Sequence, residues 1–125
     1  MKVQPRPTDA ELEILRIIWS RGPSTVREVH DEAANSKGYT TVLKFMQIMT
    51  DKGLLRRTEE HRVHTYHSTV PQETTQRQLV IDLLDRAFGG KPTQLVMQAL
   101  SDKRASKQDL AEIRRMLDEH DGGKR

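Results

Sequence analysis

The chain has 125 residues, 31% of them charged and 4% aromatic, and a net charge of +3. That length suits one small domain, or two very small ones sharing a core, with oligomerisation expected to complete a modest supply of core material. The absence of cysteine excludes a disulfide framework, a thiolate zinc site and a cysteine nucleophile. No apolar run approaches the roughly 20 residues of a membrane helix, and the amino-terminal Met-Lys-Val-Gln-Pro-Arg-Pro lacks a signal-peptide core, so a cytoplasmic protein is expected.

Prolines and most glycines fall between periodic segments, so the chain punctuates itself. Thr8 and Glu11 have capping-box spacing, and Leu12, Ile14, Leu15, Ile18 and Trp19 come next at helical intervals, which predicts a first helix from about residue 9 to Arg21. Gly22-Pro23 breaks the pattern, and the repeat of the same start signal at Thr25 and Glu28 predicts a short second helix ending near Asn35.

In the third segment Val42, Phe45, Met46 and Met49 fall at i, i+3, i+4 and i+7, an inward stripe. Thr40, Thr41, Lys44, Gln47 and Ile48 are left outward. Beyond Gly53, the runs 54–58 and 62–67 have β-favouring content and predict a hairpin around Glu59-Glu60-His61, although the usual Asn-Gly turn signal is missing. Trp19 is assigned to the core, closing the first helix against this hairpin. Pro71 opens a long amphipathic helix that Gly89-Gly90 ends, 93–100 forms a short helix, and Ser106 with Asp109 caps a last one before a tail, 121–125, expected to be disordered.

The charge is unevenly placed. Residues 37–58 hold Lys37, Lys44, Lys52, Arg56 and Arg57 against Asp51 alone, giving +4 and leaving −1 for the remainder. A focused basic surface is what an anion partner requires. Three helices followed by a hairpin predict a mostly α chain with a winged helix-turn-helix, residues 1–70, followed by a helical dimerisation domain, 71–120.

In such an arrangement the third helix enters the major groove of double-stranded DNA, where Thr40, Thr41, Lys44 and Gln47 would face base edges and span about 10 Å. Lys37, Arg56, Arg57 and Arg62 would hold the phosphate backbone. The stripe of Leu79, Leu83, Leu84, Phe88, Leu95, Leu110, Ile113 and Leu117 has little else in so short a chain to pack on, which predicts a homodimer.

His61, His64 and His67 invite a metal reading, but strand alternation turns His64 away from the other two, so no metal and no cofactor is expected. Asp82 and Asp85 are expected to be solvated, or paired with Arg86 across the dimer. No glycine loop for phosphate, no paired acids in a cleft and no framed nucleophilic serine points to an enzyme. A non-enzymatic alternative is an adaptor gripping an acidic protein partner with the third helix and hairpin.

The segments P-T-D-A-E-L-E-I-L-R-I-I-W, V-R-E-V, Y-T-T-V-L with K-G-L-L, R-V-H-T-Y-H and L-V-M-Q-A-L resemble the penicillinase-repressor (BlaI/MecI/CopY) family of bacterial transcriptional regulators. The resemblance implies a dimeric repressor on an inverted-repeat operator, released when a membrane sensor protease signals cleavage. It places the cleavage bond at Gln98–Ala99, where the best-studied members carry Asn-Phe. The difference leaves open cleavage here, at another bond, or none. Ile48 replaces a usual basic residue, and the cysteines of the copper-responsive branch are missing.

Overall fold

The computed structural model describes residues 6–33 and 37–123. They form α1 (Asp9–Arg21), α2 (Val26–Ala33), α3 (Tyr39–Asp51), β1 (Leu55–Glu60), β2 (Val63–Ser68), α4 (Gln72–Ala87), α5 (Pro92–Ser101) and α6 (Lys107–Gly123). The chain divides into two compact units, Met1–Gln76 and Arg77–Arg125.

Local capping chemistry sets the helix starts of the first unit. The Thr8 hydroxyl accepts from the Glu11 amide at 3.2 Å while the Thr8 amide donates to Glu11 Oε1 at 3.0 Å. Thr25 and Glu28 repeat this exchange at 3.1 and 2.9 Å ahead of α2. The expected end of α2 near Asn35 lies outside the described residues. Gly53, at φ +85°, takes the left-handed conformation that lets the chain leave α3 and enter β1.

The core of this unit gathers Ile14, Leu15, Ile18, Val26, Val29, Val42, Met46, Met49, Leu54, Leu55, Tyr66 and Val70. The α3 stripe is inward as its spacing requires, with Phe45 half-buried against the rest. Trp19 fastens α1 to the end of β2 and the residues just beyond it: its indole N–H donates to Ser68 Oγ (3.1 Å) and to the Val70 carbonyl (3.0 Å). Before α2, Ser24 exchanges two backbone bonds with Tyr66, at 3.0 and 2.8 Å, so the chain leaving α1 is pinned to the hairpin.

Sequence reading misses one strong tie. Glu11, only 3% exposed, receives the Lys52 ammonium at 2.7 and 3.0 Å, joining the start of α1 to the end of α3. Burial pushes the Glu11 carboxyl up, but the Lys52 ammonium and the Thr8 amide and hydroxyl together outweigh it and hold the group below its ordinary value of 4.5. A depressed folded-state value means the stabilisation is complete above that range and is lost as pH falls through the lowered value. Lys52→Met is expected to cost about 1–3 kcal/mol, below the full penalty for an orphaned buried charge because Lys52 is partly solvated. Urea unfolding at pH 3 to 7 checks both points: Glu11→Gln should flatten the acid limb relative to the parent chain.

The hairpin pairs Leu55 with Ser68 through Glu60 with Val63. Its loop is therefore two residues, His61 and Arg62, at φ +51° and +66°. This moves Arg62 from the expected strand to the turn, and Glu59 and Glu60 into β1. Positive φ at both loop positions is what a two-residue hairpin needs to match strand twist, and here bulky side chains adopt it where Asn-Gly would be easier. Replacing the pair by Asn-Gly is expected to raise stability by about 1–2 kcal/mol, measured by urea unfolding.

In the second unit, the Gly90 amide donates to the Leu84 carbonyl at 2.9 Å and ends α4. Ser106 and Asp109 cap α6 reciprocally at 3.0 Å each way. The tail expected to be disordered from Asp121 is helical through Gly123; Lys124 and Arg125 lie outside the described residues. Asp82 pairs with Arg86 within α4 at 2.6 Å, an i,i+4 contact.

No residue of α5 or α6 is buried among the described residues, nor is any of α4 beyond Thr75. Val80, Ile81, Leu83, Val96, Met97, Leu110, Met116 and Leu117 are exposed to between 38% and 60%. Leu79, Leu84, Phe88, Leu95 and Ile113 are only half-buried. Leu83, Phe88, Leu95, Ile113 and Met116 line an open groove of about 720 Å³.

Candidate nucleic-acid interface

The helix α3 turns Thr40, Thr41, Lys44 and Gln47 to solvent, as their spacing opposite the stripe requires. Its N-cap is Gly38, which offers no side-chain acceptor to the first-turn amides. Those amides therefore stand at a helix N-terminus beside two threonine hydroxyls. Lys44 has no ion-pair partner among the described residues.

The basic excess of residues 37–58 is thinner at the surface than the sequence implies. Lys52 is committed to Glu11, and Lys37 pairs with Glu13 at 3.3 Å while its ammonium lies 5.5 Å from the centre of the Phe45 ring. Both cations answer acids of α1, which a count within the segment does not see. Lys44, Arg56 and Arg57 remain exposed.

Strand alternation then separates the two adjacent arginines. Arg57, opposite Tyr66, shares a face with Glu59 and His64; Arg56, opposite His67, shares the other with Thr58 and Thr65. Side-chain contacts respect this division, with His64 Nε2 3.3 Å from Glu59 Oε1 and His67 Nε2 3.0 Å from Thr58 Oγ1. Arg57 borders a recess of about 470 Å³ with Gln47, Thr50, Asp51 and Tyr66, so it lies beside the second half of α3. Arg62 borders another, of about 370 Å³, with Arg27, Tyr39, Leu43 and His64, beside the first half.

The outward face of α3 is thus bordered along its hairpin edge by one arginine beside each half of the helix. Arg27 joins the second recess from α2, its guanidinium 4.9 Å from the centre of the Tyr39 ring, whose edge also meets His30. Sequence reading passes over Arg27. The available signal was an exposed cation in the first turn of the helix preceding α3. The three wing histidines do not converge: one is in the turn and the other two take different partners on opposite faces.

Three helices with a two-stranded hairpin folded against the third define a winged helix-turn-helix unit. The chain belongs to the penicillinase repressor family, whose pattern matches residues 7–119. It is 25% identical over 127 residues to the penicillinase repressor of Bacillus licheniformis, covering all of this chain and 99% of that one. It is 32% identical over 82 residues to the transcriptional regulator BlaI of Mycobacterium tuberculosis, covering 63% of this chain and 59% of that one. Among solved structures, the monomeric form of Bacillus licheniformis BlaI in complex with the blaP half-operator superposes with a TM-score of 0.51 at 28% identity, over 58% of this chain and 92% of that one. These relatives bear the names of repressors and regulators, not of enzymes.

Proposed function

We propose that the chain is a transcriptional repressor that binds an inverted-repeat DNA operator as a homodimer in the cytoplasm. The observation that carries this reading is the outward face of α3, Thr40, Thr41, Lys44 and Gln47, bordered by Arg57 and Arg62. Threonine, lysine and glutamine can meet base edges or phosphates without the repulsion an acidic face would suffer. Gln47 suits adenine, and Lys44 guanine or phosphate. The uncapped amides at the start of α3 favour a phosphate there.

Arg57, Arg62 and Arg27 then hold the backbone beside that face of α3. Arg56, on the other face of the wing, and Lys37, paired with Glu13, contribute less than their position in the sequence implies. The exposed apolar residues of the second unit support dimerisation over residues 72–118, because a second copy would take that surface out of water.

The family likeness extends the reading to induction by a sensor protease at Gln98–Ala99. Both residues are exposed in α5, and no helix among the described residues is long and apolar enough to cross a membrane. A protease cutting there must unwind part of the ten-residue α5 first.

Fluorescence anisotropy with the DNA upstream of the chain's own gene tests the core of this reading. A sequence-selective complex whose log affinity falls linearly with log salt and which survives random competitor is expected. Binding to that DNA no tighter than to random duplex would overturn it.

A further inference from the structure

Beyond its first residue, α3 exposes Thr40, Thr41, Lys44, Gln47, Ile48 and Asp51. All but Ile48 can hydrogen-bond. Ile48 nevertheless keeps 40% of its surface in water. It lies four residues after Lys44 and seven after Thr41, and precedes Asp51 by three, so it sits inside the outward face rather than at its margin. Exposed isoleucine also has no advantage in helix propensity, its β-branch being restrained by the preceding turn.

Among the described residues, the large apolar side chains exposed in the first unit are Tyr39, Ile48 and Val63, and all three belong to α3 or the hairpin. Of the three, Ile48 is the one on the outward face beside Lys44 and Asp51; Tyr39 lies under the Arg27 guanidinium and Val63 shares the hairpin face of Arg56. Phosphate has nothing to gain from Ile48, which has no donor, and the carboxylate of Asp51 on the same face would repel it. Base edges in the major groove do present one apolar group, the C5-methyl of thymine.

We propose that Ile48 is a specificity-determining residue that packs against a thymine C5-methyl in each operator half-site. This rests on the reading that α3 enters the major groove. Lys44 and Asp51 then bracket that thymine, so donor, apolar and acceptor groups succeed one another along the helix over about two turns.

The test begins with duplexes enriched by the full chain from a random pool, in which each thymine is replaced in turn by deoxyuridine, which lacks only the methyl. At one position per half-site the parent chain is expected to bind about fourfold more weakly, the contribution of one buried methyl-sized group. Ile48→Ala, expected to keep the parent's circular dichroism because the site is at the surface, should bind thymine and uracil equally there and keep the parent's response elsewhere. If both chains bind the enriched duplex and no uracil position separates them, Ile48 does not read a methyl group, while the groove reading stands. If selection enriches no sequence, the groove reading itself fails and the thymine contact with it.

Discussion

A Leu117→Glu chain is expected to sediment as a monomer and to lose on the order of a hundredfold in affinity for a full operator, while keeping its affinity for a half-site. Leu117 is 59% exposed in the single chain, so the change disturbs little intrachain packing. What it alters is the surface that a second copy would cover. Burying a leucine contributes about 1.5–3 kcal/mol, and a carboxylate forced into the same place loses its hydration with no partner in exchange. Analytical ultracentrifugation with paired titrations on one-site and two-site duplexes checks both halves of the expectation. A variant that stays dimeric would move the contact away from α6.

The second large effect is expected at Lys44. Lys44→Ala should weaken operator binding by about 1–3 kcal/mol, or roughly five- to 150-fold. The way it does so identifies the contact. A lysine on guanine relaxes the preference at one base pair; a lysine on phosphate weakens all sequences alike and lowers the log–log salt slope by about one. Lys52→Ala is the informative companion, because its ammonium already belongs to Glu11. It should lower stability and leave the salt slope unchanged. An unaltered complex with Lys44→Ala would remove α3 as the reading element.

Much of the architecture was legible because its signals are local. Each capping pair, Thr8 with Glu11, Thr25 with Glu28 and Ser106 with Asp109, closes within three residues, and the inward stripe of α3 is a matter of helical period. The misplaced hairpin turn shows the limit of composition. His61 and Arg62 do not resemble turn residues, and pairing across the strands, not local preference, forces them into the left-handed region.

The exposure of the candidate interface residues was legible one by one, but their shared surface was not. Lys37 and Lys52 read as free cations until α1 brings Glu13 and Glu11 to them over 24 and 41 residues of sequence. Arg56 and Arg57 read as one basic pair, although the alternation that parts them was available in principle. Arg27 gains its meaning only from a recess that α2, α3 and the hairpin build together.

The chain has one tryptophan, and its indole is held by Ser68 and Val70 where the hairpin gives way to α4. Emission from that ring will therefore report on the amino-terminal unit alone, whereas far-ultraviolet ellipticity sums over every helix. Heating the protein while recording both signals would show, without any label, whether the two units melt together or in succession.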